Sequence, residues 1–293
     1  GLGDVYKRQG ATATYTTNGD DASAGKNLGI SNELDFTASG ELDNGMSWTY
    51  QVQLDGTSTA NDDTKLEIGT DMGTIGLYVT EGGLSVETAT GAGALGVGMD
   101  YMSPATFQTG YDVDGYGNIQ YHTPADALPF GAQIKIGYVP DMNDTAMTSA
   151  KDANSLPSSH ATGRNLTQVN FSMSPIDGLT LAGSYYDFGE MGNKDGRQKA
   201  EGGSYSANYS IGQISVGYGE TLHAPAERMN TSASAKTQHY ENDAYSIGFA
   251  VNDSLSISYT EENSEKVIKT TSASNVVTRP SVEMEITTID LSY

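Results

Sequence analysis

The 293-residue chain predicts an all-β fold, a closed antiparallel transmembrane β-barrel with fourteen strands counted. Three observations lead there. Apolar residues recur at every second position through segments of roughly ten residues, as a half-buried strand requires. The links between those segments alternate between short turns and long polar loops. The last residue, Tyr293, is aromatic and in phase with Ile289 and Leu291.

Composition narrows the field first. With 37 Asp and Glu against 15 Lys and Arg, the formal charge is −22. That balance gives nucleic acid no footing, because phosphate binding needs clustered Lys and Arg. It also argues against docking on anionic lipid through a basic patch. The absence of cysteine excludes thiolate metal sites, disulfides and thiol nucleophiles. Mean hydropathy is −0.42, and no run of 18 apolar residues exists to form a transmembrane helix. A barrel survives this test, since its strands are apolar on one face only. The 35 Gly and 18 Tyr favour turns and strands, and the ordered spacing of the tyrosines weakens the rival reading of an acidic disordered chain.

Taken in order, strands are expected near 11–17, 31–41, 46–55, 64–70, 74–80, 116–122, 131–140, 165–174, 178–188, 203–210, 213–221, 242–251, 254–262 and 282–293. Several share one form, alternating apolar positions closed by a tyrosine. Ile134-Ile136-Tyr138, Ile214-Val216-Tyr218 and Leu255-Ile257-Tyr259 are examples. Tyr245-Ile247-Phe249-Val251 reverses the order. In a soluble sandwich such a stripe faces a packed core. In a membrane-spanning barrel it faces lipid, with the aromatic at the interface.

Connection lengths separate the two. Asp43-Asn44-Gly45, Asp71-Met72-Gly73, Pro175-Ile176-Asp177, Ile211-Gly212 and Asn252-Asp253 are short turns. Between them lie long polar loops at 18–30, 56–63, 81–115, 141–164, 189–202, 222–241 and 263–281. Short turns at one end and long loops at the other are barrel anatomy. A sandwich has no reason to segregate them. The phase slips between Val282-Met284-Ile286 and Ile289-Leu291-Tyr293, which predicts a bulge near Thr287 and Thr288.

On this architecture the chain resembles a bacterial outer-membrane general diffusion porin of the α-proteobacterial type. The resemblance spans about 11–293 and is clearest from Ile30 to Thr80 and in the last strand. It implies a water-filled channel in the outer membrane of a Gram-negative bacterium, passing small hydrophilic solutes and ions by diffusion. It implies a homotrimer, contact with membrane lipid and lipopolysaccharide, and recognition of Tyr293 by the outer-membrane assembly machinery. The family has sixteen strands, so a further hairpin would be sought at 222–241 or 81–115. No enzymatic activity and no cofactor are implied.

Residues 1–10 lack the strand pattern and read as an unassigned leader or a sequencing remnant, with the barrel occupying 11–293. Positions alternating with the apolar stripe should line the lumen. These include Glu33, Asp35, Gln51, Gln53, Lys65, Glu67 and Lys135, with Ser47, Gln120, Gln133, Gln168, Asn170, Glu283 and Glu285. The longest loop, about 81–115, follows the fifth strand and resembles the one that folds inward in porins to narrow the pore. Its acids Glu87, Asp100, Asp112 and Asp114 are the expected constriction. With Lys65 and Lys135 as the only inward strand cations, the lumen should be negative and favour cations.

Other constellations carry less. Gly91-Ala92-Gly93-Ala94-Leu95-Gly96 matches a dinucleotide fingerprint but lacks the strand–turn–helix frame. Asp112 and Asp114 open like a calcium loop, but Tyr116 and Thr123 stand where ligands belong. An EF-hand is excluded, although acidic loops leave room for bound calcium. The four histidines form no metal-binding pair, and no metal site is expected. Trp48 alternates with Tyr50 and is expected to face lipid or a neighbouring subunit. The alternative function is that of a surface-exposed β-rich adhesin or structural protein without a conducting pore.

Overall fold

The structure is a computed structural model that describes residues 4–16, 25–55, 64–79, 82–84, 113–124, 126–140, 165–189, 198–225, 236–252, 254–271 and 277–292. For 4–33 only the backbone is described. The strands are β1 (Asp4–Thr16), β2 (Gly25–Glu41), β3 (Ser47–Asp55), β4 (Thr64–Thr70) and β5 (Gly73–Val79). There follow β6 (Gly117–His122), β7 (Gln133–Val139), β8 (Leu166–Ile176), β9 (Leu179–Phe188) and β10 (Glu201–Ile211). The last are β11 (Ile214–Ala224), β12 (Lys236–Asn252), β13 (Leu255–Thr271), β14 (Val277–Thr278) and β15 (Ser281–Ser292).

From β1 to β13 each strand pairs antiparallel with its sequence neighbours, so the sheet is a single meander. The two-residue β14 and the long β15 both lie against β13, which makes the sheet fourteen strands wide, as the alternation predicts. Among the described residues β1 and β15, the two edges, are not hydrogen-bonded to each other.

Several sequence expectations change, among them the starts of β2 and β12 and the end of β13, which extend into stretches expected as loops. The first strand begins at Asp4, not near residue 11, and pairs without interruption from Asp4 opposite Thr37 to Thr16 opposite Gly25. Lys7 and Gln9 break the apolar stripe there, which hid the strand from its alternation. The register of β15 is also unbroken, from Ser281 opposite Val267 to Ser292 opposite Ser256, so there is no bulge at Thr287 and Thr288. Glu283 and Glu285 therefore sit on the outer face, opposite Glu265 and Asn263. Register shifts fall elsewhere, at Met173/Ile176, Thr237/His239 and Ala250/Asn252.

The two faces have opposite chemistry. Phe36, Tyr50, Leu66, Leu77, Ile136, Phe171, Val216, Ile247, Phe249 and Ile257 are exposed on the outer face, each 37–55% accessible. The alternating positions turn inward and are polar. Asp35, Gln53, Gln120, Gln168, Asn170, Ser184, Ser206, Asn242, Ser246, Ser258 and Thr260 are each at most 8% accessible. A soluble sandwich shows the reverse.

Above this band, on the long-loop side, runs an outward row of Tyr138, Tyr185, Tyr205, Tyr218, Tyr245 and Tyr259. Tyr205 and Tyr218 pair at 6.4 Å between ring centroids, and Tyr245 and Tyr259 at 6.5 Å. The Tyr138 hydroxyl accepts from the Asn165 amide at 3.2 Å, and the other five point to carboxylates one step nearer the long loops. Tyr185 donates to Glu201 at 3.2 Å, Tyr259 to Glu261 at 2.7 Å, and Tyr218 to Glu220. Lys199, between strands, donates to Asp187 at the same height, and that hydrogen bond raises the ammonium's pKa. An apolar ring body with its hydroxyl on a carboxylate marks the edge between an apolar and an aqueous zone.

The short turns place glycines where only glycine is easy. Gly178 has φ +78° and a Cβ there would meet Ser210 O at 2.1 Å, whereas Gly212 has φ +60° and open space. Gly178→Ala should therefore lower stability by clearly more than Gly212→Ala, whose cost is about 1–2 kcal/mol from left-handed backbone alone. Equilibrium urea unfolding of the refolded protein checks the order.

Candidate functional site: the inner wall

The inward face of β2 to β9 carries most of the residues that the sequence marks as lumen-lining. Asp35 accepts a hydrogen bond from Gln53 across β2 and β3 at 2.8 Å. Gln51 is half-buried on the same face. Glu33 is placed by its backbone register, opposite Asp55 and opposite Arg8 of β1. Directly opposed residues share a face, so Arg8 holds an inner-wall register position beside Glu33. Lys266 of β13 also lies on the inner face, 5.7 Å from the Tyr240 ring. The expectation of only two inward strand cations is thereby corrected. Arg8 escaped the reading because its strand did. Lys266 escaped it because β13 runs on to Thr271, well past the strand end expected near residue 262.

On β4, Lys65 lies 3.5 Å from Glu67, and both are half-buried. Tyr78 of β5 donates to Glu67 at 3.0 Å and stacks on His122 at 6.0 Å, its ring lying over the bare backbone of Gly76. His122 in turn meets Gln120 Oε1 at 2.7 Å. Lys135 of β7 donates to the carbonyls of Gly82 and Gly83, at 3.4 and 3.2 Å. Asp114 is half-buried and attracts the same ammonium.

The 81–115 connection is described at its two roots, 82–84 and 113–116, and both are on the inner side. Val113 N–H donates to Gln168 at 2.9 Å, and Asn118 donates to the carbonyls of Val113 and Tyr116 at 3.2 and 2.9 Å. Gln168 donates to Asn170 and Ser184 at 3.1 and 3.0 Å, and Ser184 to Asn170 at 2.5 Å. Above this network Leu84, Val113, Tyr116, Val139, Leu166, Tyr186, Phe188 and Ala200 form a buried apolar cluster. No alternation rule marks that cluster, because it forms where inner positions turn apolar only near the strand ends.

Three of the expected constriction residues, Glu87, Asp100 and Asp112, and the terminal Tyr293 lie outside the described residues. So do most of the acidic loops expected to leave room for calcium. Trp48 is half-buried on the outer face beside Tyr50 and lies over Gly40.

No family model and no curated protein sequence matches the chain. Solved structures do. A loop-L8 deletion mutant of OmpT, an outer membrane protein of Vibrio cholerae, aligns over 100% of this chain and 95% of its own, at 13% identity and TM-score 0.57. A mutant of Rh. blastica porin aligns over 99% and 98%, at 12% identity and TM-score 0.56. Salmonella typhi OmpF in complex with daunomycin aligns over 98% and 97%, at 12% identity and TM-score 0.54.

Gln168→Leu would leave the buried Val113 N–H without its acceptor and should cost about 1–3 kcal/mol, read as a lower urea midpoint at unchanged slope. Together the meander, the polar inner wall and these alignments give the chain the fold of outer-membrane β-barrel proteins, porins among them.

Proposed function

We propose that the chain is an outer-membrane porin, a closed barrel whose polar inner face encloses water and passes small hydrophilic solutes and ions. The carrying observation is the inverted burial, apolar side chains outside and Gln, Asn, Ser and Thr inside. An exposed apolar band fits lipid and no aqueous medium, and a sheet satisfies its backbone in lipid only when its edges join.

Selectivity is finer. The described wall sets Lys65, Lys135 and Lys266 among its carboxylates, so the excess acid of the chain, −22 overall, resides largely elsewhere. A modest cation preference follows, weaker than a carboxylate ring would give. A homotrimer is the assembly that the porin reading brings with it.

Planar-bilayer recording of the refolded protein should show large ohmic steps, with a reversal potential of cationic sign in a salt gradient. Folded, β-rich protein that stays in solution without detergent and gives no steps would replace the porin with the adhesin reading. Ile136→Arg on the outer face should cost about 2–4 kcal/mol in folding into bilayers, while Gln133→Arg on the inner face should fold as well as the wild type and shift selectivity toward anions.

A further inference from the structure

We infer that Gly137 and Lys135, two residues apart on the inner face of β7, are positioning residues that pin both roots of the β5–β6 connection to one spot on the wall. This rests on the porin reading for its functional consequence, though not for its geometry.

Gly137 is the seat. A Cβ placed on it would come within 2.5 Å of Leu84 Cδ2 and 2.7 Å of Val113 Cγ1. Leu84 closes the first root and Val113 begins the second, and both are fully buried. Any side chain at 137 would displace one or both, so the missing side chain is what lets the two ends of the connection meet the sheet at a common point. The backbone of β7 needs no glycine there, since φ at Gly137 lies outside the left-handed region.

Lys135 is the tie beside it. Its ammonium donates to the Gly82 and Gly83 carbonyls of the first root, and the Asp114 carboxylate of the second root attracts it. Residues 135 and 137 point to the same face, so the apolar seat and the charged tie act on the same pair of roots. Gln168 adds a third hold on the second root through Val113 N–H at 2.9 Å. A charge engaged in this way is fixed in place. Lys135 therefore acts on permeation through where it holds the connection, and less as a free cation.

The chain has no cysteine, which makes a direct test clean. In Val113→Cys/Gly137→Cys the two Cβ atoms would lie within roughly 4 Å, inside disulfide range. The double variant should cross-link on mild oxidation of the refolded protein, seen as a mobility change reversed by reductant. Gly137→Val and Lys135→Met should each change single-channel conductance or the reversal potential, the former by about twofold or more in conductance. Gly117→Val, whose site has open space, should do neither. Failure of the cysteines to cross-link would overturn the pinning, whatever the pore does. Cross-linking combined with wild-type conductance and selectivity in both Gly137→Val and Lys135→Met would overturn the positioning role. A wild type that shows no conductance would defeat the porin reading instead, and the cross-link would still decide the geometry. Should Gly137→Val not fold, Lys135→Met and the cysteine pair decide.

Discussion

The structure depends on one constraint, the strict alternation of side chains across an unbroken antiparallel ladder. Because the period is two, each strand commits every odd position to one face and every even position to the other. Here that commitment sends Ile, Val, Phe and Tyr outward and Gln, Asn, Ser and Thr inward on strand after strand. A slip of one residue in any pairing would exchange the two chemistries. The turns hold the register, and the few shifts that occur sit near strand ends.

The alternation also has a height dependence. Within the band below the tyrosine row, the outside is apolar and the inside polar. Past that row the outward positions become charged, with Asp187, Glu201, Glu220, Glu261 and Glu265. Inward positions turn apolar at β7 to β9, with Val139, Leu166, Tyr186 and Phe188, and stay polar on β11 to β13, with Thr221, Asn242, Glu262 and Ser264. The inner apolar cluster and the outer carboxylates lie at one boundary, which the tyrosine hydroxyls mark. It is at this boundary that the β5–β6 connection is rooted, on apolar contacts above and a polar network below.

Most of the sheet is legible in the sequence because period-2 patterning is local. Ile134-Ile136-Tyr138 and Tyr245-Ile247-Phe249-Val251 carry their strands, faces and turns openly. Three things are not legible. Asp4 to Gly10 carries Lys7 and Gln9 at outer positions, so the stripe vanishes and Arg8 with it. The face of Glu283 and Glu285 is hidden, because an apolar-outward rule holds only below the tyrosine row. The seat at Gly137 is invisible in one dimension, since its meaning comes from Leu84 and Val113, which lie far away along the chain. The wall polars Gln120, Gln168 and Asn170 stand where the alternation puts them, but their bonding to the roots of the connection exists only in three dimensions.

The most direct test of the inside-out sheet is a nitroxide scan of single cysteines along 244–251 in the protein refolded into lipid bilayers, reading collision with oxygen against a water-soluble nickel complex. A period of two is expected, with 245, 247, 249 and 251 facing oxygen-rich lipid and 244, 246, 248 and 250 more accessible to nickel or to neither probe. Preferential oxygen contact at 246 and 248, or no alternation at all, would contradict the arrangement on which the rest is built.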